Sequence, residues 1–198
     1  MNTDLSEKLE QAIWVGKSLF DRNKVSGSSA NMSFVHGDVI YITRSGSCFG
    51  NLTRQDFAQI DPDGKMLDEK IPSKEFPLHI IYYKNKISTQ AVIHTHSVHS
   101  TLWSMLKHND QIDIMPTYTP YLRMKLGRIG LVEYYPPGSE DLFQAFETHI
   151  HDADGFILKN HGPILGGKTI MDAFHILEEL EESAKIAWAL KDMNIPTI

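Results

Sequence analysis

The chain has 198 residues, a formal net charge of −6, and ordinary fractions of hydrophobic (41%) and charged (22%) residues. This length suits one domain with a sizeable core, and the acidic balance argues against a dedicated binder of nucleic acid or of anionic membranes. Cys48 is the only cysteine, so an internal disulfide is excluded, and no apolar run approaches the ~20 residues that span a membrane. The N-terminus has no signal-peptide pattern, and we expect a cytoplasmic protein.

In the first half of the chain, apolar residues recur at helical spacing over residues 3–22. A loop of small residues, VSGSSANMSF, then runs into a strand, and β-branched residues predict a second strand at 39–43. Residues 72–85 favour a helix that Ser73 caps and that carries Pro77 in its first turn, where proline is tolerated.

The second half of the chain predicts three more helices and four strands. In chain order these are a strand at 91–96, a helix at 97–108, a strand at 130–135, a helix at 139–150, two short strands around a turn at 155–167, and a helix from about 170 to 193 that Thr169 caps. Helices and strands are mixed without regular alternation. We therefore predict an α/β or α+β fold with one central sheet in three layers.

Three histidines lie close together in AVIHTHSVHS, residues 91–100. Alternate side chains of a strand share a face, so His94 and His96 can point the same way, about 7 Å apart. Two imidazoles directed together are half of a zinc site, although such pairs also occur as ordinary core or surface histidines. His161, in the turn NHGP, is either a third ligand or a solvent-exposed turn residue. His99 follows on a helix and points elsewhere, which favours a packing or supporting role.

A glutamate and three small-residue loops could complete a site around these histidines. Glu75 lies near a helix start, where a carboxylate usually interacts with the helix N-terminus alone, but beside a zinc it could be a ligand or a proton acceptor. The stretches SGSSAN, RSGS and PSK combine hydroxyl groups with glycine or a helix start. Each alone is usually a plain turn. Together with Lys74 they suggest an anion cradle for a phosphorylated substrate.

The order SSAN, TRSG, PSKE followed four residues later by histidine, HTH and NHGP resembles the class II aldolase/adducin family over nearly the whole chain. The resemblance implies one domain over residues 1–198, with a class II aldolase-like, three-layer α/β/α fold around a central, mainly antiparallel sheet. It also implies a homotetramer with sites at the subunit interfaces.

The resemblance implies roles for individual residues as well. In that family three histidines hold Zn²⁺, and these correspond to His94, His96 and His161. The catalytic glutamate of the family corresponds to Glu75, which is also a candidate fourth ligand.

A tyrosine near the zinc protonates the product in the aldolase branch, and the matching residue is Tyr121 in YTPYLRMKLG, with Tyr118 as the alternative. The phosphate-binding loops of the family fall here on Ser28, Ser29, Asn31, Ser45, Gly46, Ser73 and Lys74.

The stretches SGSCFGNL, IPSKE, TPYLRMKLGRIGLVEYYPPGS and LKNHGPILGG are most similar to the branch that decarboxylates 3-oxo-tetronate 4-phosphate. That branch implies a carboxy-lyase whose products are dihydroxyacetone phosphate and CO₂, formed through an enediolate whose charge the zinc stabilises. Lys74 replaces one of the two serines usual in aldolases, and Ala30 stands where aldolases often have glycine. The main alternative is a zinc-dependent sugar-phosphate aldolase of the fuculose or ribulose type. A methylthioribulose-phosphate dehydratase and a non-enzymatic module like the adducin head are further alternatives.

Overall fold

A computed structural model describes residues 3–198, apart from the side chain of Thr3. In this part of the chain the strands are β1 (Asn31–His36), β2 (Val39–Thr43), β3 (Phe57–Ile60), β4 (Ala91–His94), β5 (Ile129–Val132), β6 (Gly155–Leu158) and β7 (Gly162–Gly167). The α-helices are α1 (Thr3–Asp21), α2 (Phe76–Asn85), α3 (Val98–Ser104), α4 (Tyr121–Lys125), α5 (Glu140–His149) and α6 (Ile170–Leu190). Among these residues, no helix combines the length and the apolar character that crossing a membrane requires.

The seven strands form one sheet in the order β3-β2-β1-β4-β7-β6-β5. Each neighbouring pair is antiparallel except β5 and β6, which are parallel. Helices α1, α4 and α6 pack on one face of the sheet and α2 and α5 on the other, while α3 packs against α6. The structure confirms the predicted three-layer α/β/α fold with a mainly antiparallel sheet.

Strand alternation separates the two cores. In β4, Ile93 points toward α1 and α6, whereas Val92 on the opposite face points toward α2 and α5. The predicted helix after Thr169 is α6, and its apolar stripe is buried at all seven positions, Ile170, Ala173, Phe174, Leu177, Leu180, Ala184 and Ala187. The Thr169 hydroxyl accepts a hydrogen bond from the backbone N–H of Asp172 at 3.0 Å, so the predicted cap of this helix is confirmed.

Two predicted boundaries are wrong near the site. The strand predicted at 91–96 ends at His94, because pairing with β7 stops there and the chain turns toward α3. Helix α2 starts at Phe76, four residues later than predicted, with Glu75 rather than Ser73 at the N-cap. Residues 73–76 form a turn instead, in which the Phe76 N–H donates to the Ser73 carbonyl at 3.0 Å. Pro77 lies in the first turn, as predicted.

Two further elements have no counterpart in the sequence prediction. Strand β3 is an edge strand of four residues, FAQI, which is too short to show a clear alternation of apolar and polar residues. Helix α4 is a single turn of five residues, YLRMK, with no apolar periodicity of its own. Both are held by pairing or packing with distant segments, because β3 pairs with β2 and α4 contacts α6.

Candidate metal centre

Three histidines from two separate segments meet at one end of the central strands of the sheet. His94 is the last residue of β4, His96 lies two residues further on, and His161 lies in the turn between β6 and β7. Because β4 and β7 pair antiparallel, the end of one lies beside the start of the other. The candidate ligand atoms of the three side chains all lie within 4.8 Å of one another. The structure therefore brings together the three residues that the sequence selects as zinc ligands.

The turn that carries His161 depends on a glycine. Asn160 and Gly162 on either side of the histidine have φ angles of +58° and +152°. A Cβ atom on Gly162 would lie only 2.0 Å from the carbonyl oxygen of Thr95. Only glycine lets the β6–β7 turn approach the segment between His94 and His96 this closely. The sequence NHG thus sets the distance between the third histidine and the other two.

Hydrogen bonding orients the first histidine for metal binding. The Nδ1 atom of His94 lies 2.9 Å from the carbonyl oxygen of Pro163, an acceptor, so Nδ1 carries the hydrogen. The Nε2 atom of His94 is then left with a free lone pair. This atom lies 3.3 Å from Nε2 of His161. A ligand histidine whose second nitrogen donates to a carbonyl is a common arrangement at metal sites.

Glu75 faces the same point from the start of α2. It is 4% exposed, and its Oε1 and Oε2 atoms lie 3.4 Å from Nε2 of His161 and of His94, respectively. Within residues 3–198, Oε1 of Glu75 and Nε2 of His96 are buried atoms without a hydrogen-bond partner. A cation held between them would satisfy both atoms, and three imidazoles with a carboxylate are a donor set that suits Zn²⁺.

The environment keeps these histidines neutral. Burial, followed by repulsion from His96, lowers the pKa of His94 to about 3. Burial, followed by repulsion from His94, lowers the pKa of His161 to about 3 as well. The pKa of His96 is also lowered, chiefly by burial and to a smaller extent by Lys74, against the opposing effect of Glu75. Metal binding requires neutral imidazoles, so His94 and His161 suit it over the whole physiological pH range, and the lowered pKa of His96 favours the same neutral form.

The cluster opens into a cavity of about 440 Å³. All seven residues that the family resemblance assigns to phosphate binding line it, in three stretches at 28–31, 45–46 and 73–74. Glu75, His96 and His161 line the same cavity. The metal candidates and the anion-binding candidates therefore share one space.

Arg44 also lines this cavity, and the sequence reasoning assigned it no role. It follows β2 directly, and its Nε atom donates to Oδ1 of Asp56 at 2.7 Å. The side chain remains about half exposed (51%), which leaves the outer end of the guanidinium accessible. The sequence feature that could have indicated a role for this residue is an arginine immediately before the Ser45-Gly46 pair.

The two tyrosine candidates lie elsewhere. Tyr121 is the first residue of α4 and is 59% exposed, whereas Tyr118 packs partly buried against the core of α1 and α6. Within the described part of this chain, neither lines the cavity. Their role as proton donor stays a prediction. His99 is bonded through Nδ1 to Oε1 of Glu181 at 2.9 Å, consistent with a packing role.

Comparison with known proteins supports the family resemblance that the order of the motifs indicates. The family model described as the Class II Aldolase and Adducin N-terminal domain matches residues 10–188. A 3-oxo-tetronate 4-phosphate decarboxylase of Escherichia coli is 36% identical over 94% of this chain and 88% of its own. An L-fuculose phosphate aldolase of Methanocaldococcus jannaschii is 41% identical over 89% of this chain and 93% of its own.

Solved structures share the fold over nearly the same length. The crystal structure of YgbL from Escherichia coli superposes with a TM-score of 0.91 at 35% identity, covering 96% of this chain and 92% of that one. An L-fuculose 1-phosphate aldolase structure gives a TM-score of 0.86 at 26% identity, covering 98% of this chain and 90% of that one. With its family match, its relatives and its fold in agreement, the chain belongs to the class II aldolase and adducin family.

Proposed function

We propose that this protein is a zinc-dependent enzyme that decarboxylates 3-oxo-tetronate 4-phosphate to dihydroxyacetone phosphate and CO₂. The observation that carries the proposal is the shared cavity, which has neutral histidines and a buried carboxylate at one end and hydroxyl groups with two cations around it. The activities named among the relatives, a decarboxylase and an aldolase, are both carbon–carbon lyase reactions, and the chain is a lyase of this class.

His94, His96 and His161 would hold the metal ion, with Glu75 as a further ligand before substrate binds. The ion supplies a Lewis acid that stabilises the negative charge developing as the carbon–carbon bond breaks. The residues of the chain have to place the substrate so that its keto and hydroxyl oxygens face these histidines and its phosphate lies in the loops. The side-chain hydroxyl groups of Ser45 and Ser73 suit the phosphate oxygens, whereas the backbone N–H groups of these two residues donate to the carbonyls of Ile71 and Thr43.

We assign the proton transfer to Glu75. In the reaction the bond between the carboxyl carbon and the hydroxyl-bearing carbon breaks, CO₂ leaves, and the bonding electron pair stays on the hydroxyl-bearing carbon. That carbon then takes up one proton, which comes ultimately from solvent. The Oε1 atom of Glu75 is buried, lacks a hydrogen-bond partner and faces the histidines, so it can hold this proton and deliver it.

Two cations at the cavity favour the decarboxylase over the aldolase. The keto acid phosphate carries two anionic groups, a phosphate and a carboxylate, whereas fuculose phosphate carries only the phosphate. Arg44 and Lys74 both line the cavity and can serve one anion each. The aldolase is the second candidate, because the archaeal relative named as an L-fuculose phosphate aldolase is 41% identical to this chain.

Turnover of both substrates by the purified, zinc-loaded protein tests the proposal. We expect CO₂ release from 3-oxo-tetronate 4-phosphate and no cleavage of fuculose 1-phosphate. The opposite result would replace the decarboxylase with the aldolase. Removing one cation by Arg44→Met or Lys74→Met should lower kcat/KM for the keto acid by roughly 10- to 100-fold, as expected for a lost charge-assisted hydrogen bond. Lys84→Met, which removes an exposed lysine paired with Asp63, is the matched control and should leave kcat/KM unchanged.

We also expect a cytoplasmic homotetramer in which Tyr121 reaches the cavity of a neighbouring subunit. Its exposed position at the start of α4 supports a role outside its own chain. Light scattering after size-exclusion chromatography measures the oligomeric state. Mixing a Tyr121→Phe protein with a Glu75→Gln protein should restore part of the activity if the site is shared between subunits.

A further inference from the structure

Four polar side chains form a continuous row behind Glu75, between α2 and β1. The Nδ2 atom of Asn31 donates to Oε2 of Glu75 at 3.1 Å. On the other side of this amide, Oδ1 lies 2.6 Å from Nε2 of His79. The Nδ1 atom of His79 lies 2.7 Å from Oγ of Ser33, which in turn lies 2.6 Å from the hydroxyl of Tyr83. Asn31, Ser33, Glu75 and His79 are all buried.

The spacing of these residues in the sequence explains the row. Glu75, His79 and Tyr83 are four residues apart, so they lie on one face of the α2 segment, about 6 Å apart along its axis. Asn31 and Ser33 are two residues apart on β1, about 6.6 Å apart on the face that α2 covers. The spacing of the side chains along the helix therefore nearly matches their spacing along the strand. Alternating contacts between helix and strand residues can therefore follow one another without a gap.

The donor of each hydrogen bond follows from its neighbours. A carboxylate can only accept, so the amide of Asn31 directs its nitrogen to Glu75 and its oxygen to His79. That oxygen also only accepts, so Nε2 of His79 carries the hydrogen. Burial, with a smaller effect of His94, lowers the pKa of His79 to about 3, and the ring is therefore neutral with a bare Nδ1. Ser33 then donates to Nδ1 and accepts from Tyr83, whose pKa burial raises, so that its hydroxyl stays protonated.

Every hydrogen bond in the row thus points toward one oxygen of Glu75. Oε2 is held by the amide of Asn31, while Oε1 has no hydrogen-bond partner and faces His161. The two carboxylate oxygens are not equivalent. His79 itself is fully buried and does not line the cavity, so any effect it has on substrate passes through Asn31.

We propose that His79 is a positioning residue that, with Ser33 and Tyr83 behind it, locks the Asn31 amide onto Oε2 of Glu75 and so reserves Oε1 for proton exchange with the substrate. The reserved role of Oε1 rests on the proposed function. The direction of the hydrogen-bond row does not, so the two can fail separately.

The tautomer of His79 tests the row without reference to any activity. Zinc-loaded protein labelled with ¹⁵N-histidine is measured by NMR at pH 7, and the His79 signals are assigned by their loss in His79→Gln. We expect a neutral ring with the hydrogen on Nε2 and an unprotonated Nδ1. A hydrogen on Nδ1, or a charged ring, would overturn the proposed direction.

Kinetics test the positioning role. In His79→Leu the Asn31 amide loses its partner, and we expect kcat for the keto acid to fall by about 10- to 100-fold while KM stays unchanged, a range typical of residues that support catalytic ligands. In His79→Gln the new amide can still donate to Asn31 and accept from Ser33, so most of kcat should return. Full kcat in the leucine variant, or no recovery with glutamine, contradicts the proposal.

Two neighbouring tyrosines provide a matched pair of milder changes. Tyr83→Phe removes the far end of the row and should lower kcat measurably. Tyr82→Phe removes a buried hydroxyl that donates to the carbonyl of Asp154, outside the row, and should leave kcat unchanged. Equal losses in the two variants would mean that general loosening of α2, and not the row, controls Glu75. This pair also decides the question if His79→Leu does not fold. If neither the wild type nor any variant turns over either substrate, the proposed function fails. The NMR result still tests the direction of the hydrogen bonds in the row.

Discussion

The buried, neutral His79 should make the protein lose stability as the pH falls below 7. In the native state burial lowers the pKa of His79 to about 3, whereas in the unfolded chain the imidazole has its ordinary value of 6.5. Below pH 6.5 the unfolded state therefore binds a proton that the native state does not. The contribution of this group to the free energy of unfolding is complete above pH 6.5 and is lost progressively as the pH falls toward 3.

The size of the loss follows from the distance between the pH and the unfolded pKa. Each pH unit between the two pKa values corresponds to about 1.4 kcal/mol per group. Between pH 7 and pH 5 only the last 1.5 units or so count, which gives about 2 kcal/mol for His79. In metal-free protein His94 and His161 have equally low pKa values, about 3, and should each add a similar amount.

Urea denaturation of metal-free protein at pH 7, 6 and 5, at one fixed protein concentration, measures this dependence. We expect the free energy of unfolding of the wild type to fall about 2 kcal/mol more than that of His79→Gln over this range. The glutamine keeps the buried polar contacts but cannot titrate, so the difference isolates the imidazole. Parallel pH profiles for wild type and variant would refute the assignment of a buried, neutral His79.

Three further predictions concern the frame of the site. Glu181 is buried and accepts four hydrogen bonds from the start of α3. Glu181→Ala should therefore lower the free energy of unfolding, measured by urea denaturation, by at least about 3 kcal/mol. Glu182→Ala, at the exposed neighbouring position, is the control. Gly162→Ala should abolish zinc binding, measured as metal content, because the new Cβ would overlap the Thr95 carbonyl. The control is Gly37→Ala, which is also at positive φ but has open space around it and should keep the metal. A chelator should abolish turnover and lower the thermal midpoint, and added zinc should restore both. Retained turnover without metal would contradict the proposed role of the histidines.

The elements that the sequence predicted well are those whose signal is local. The apolar stripe of α6 repeats over five turns and begins at a threonine cap, so it can be read without knowing what it packs against. Strand β2 is a run of β-branched residues between two loops, and its predicted bounds of 39–43 match the structure. Short elements such as β3 lack such a signal, because pairing with β2 decides their conformation.

The site was predicted in part because each of its motifs is a short stretch with a distinctive composition. HTH, NHGP and the three small-residue loops could each be found alone, and the order of the motifs connected them. Their meeting point could not be derived from spacing, since it depends on β4 pairing with β7. His79 was visible in the motif PSKE followed four residues later by histidine. Its hydrogen-bond partners were not, because Asn31 and Ser33 lie on β1, more than forty residues away.

The two halves of the site rest on different parts of the fold. If the proposed function is right, one half serves the chemistry that the family shares and the other selects the substrate. The histidines lie at strand ends or in a glycine-dependent turn, and Glu75 is held from behind by buried residues, so these groups cannot shift without disturbing the sheet. Arg44 and Lys74 are exposed and lie on loops, where a substitution changes the charge of the cavity at little cost to stability. Overall identity, 36% to a decarboxylase and 41% to an aldolase, is dominated by the shared frame and does not sort the two reactions. We propose that the charges on the loops, matched to the number of anionic groups on the substrate, do sort them.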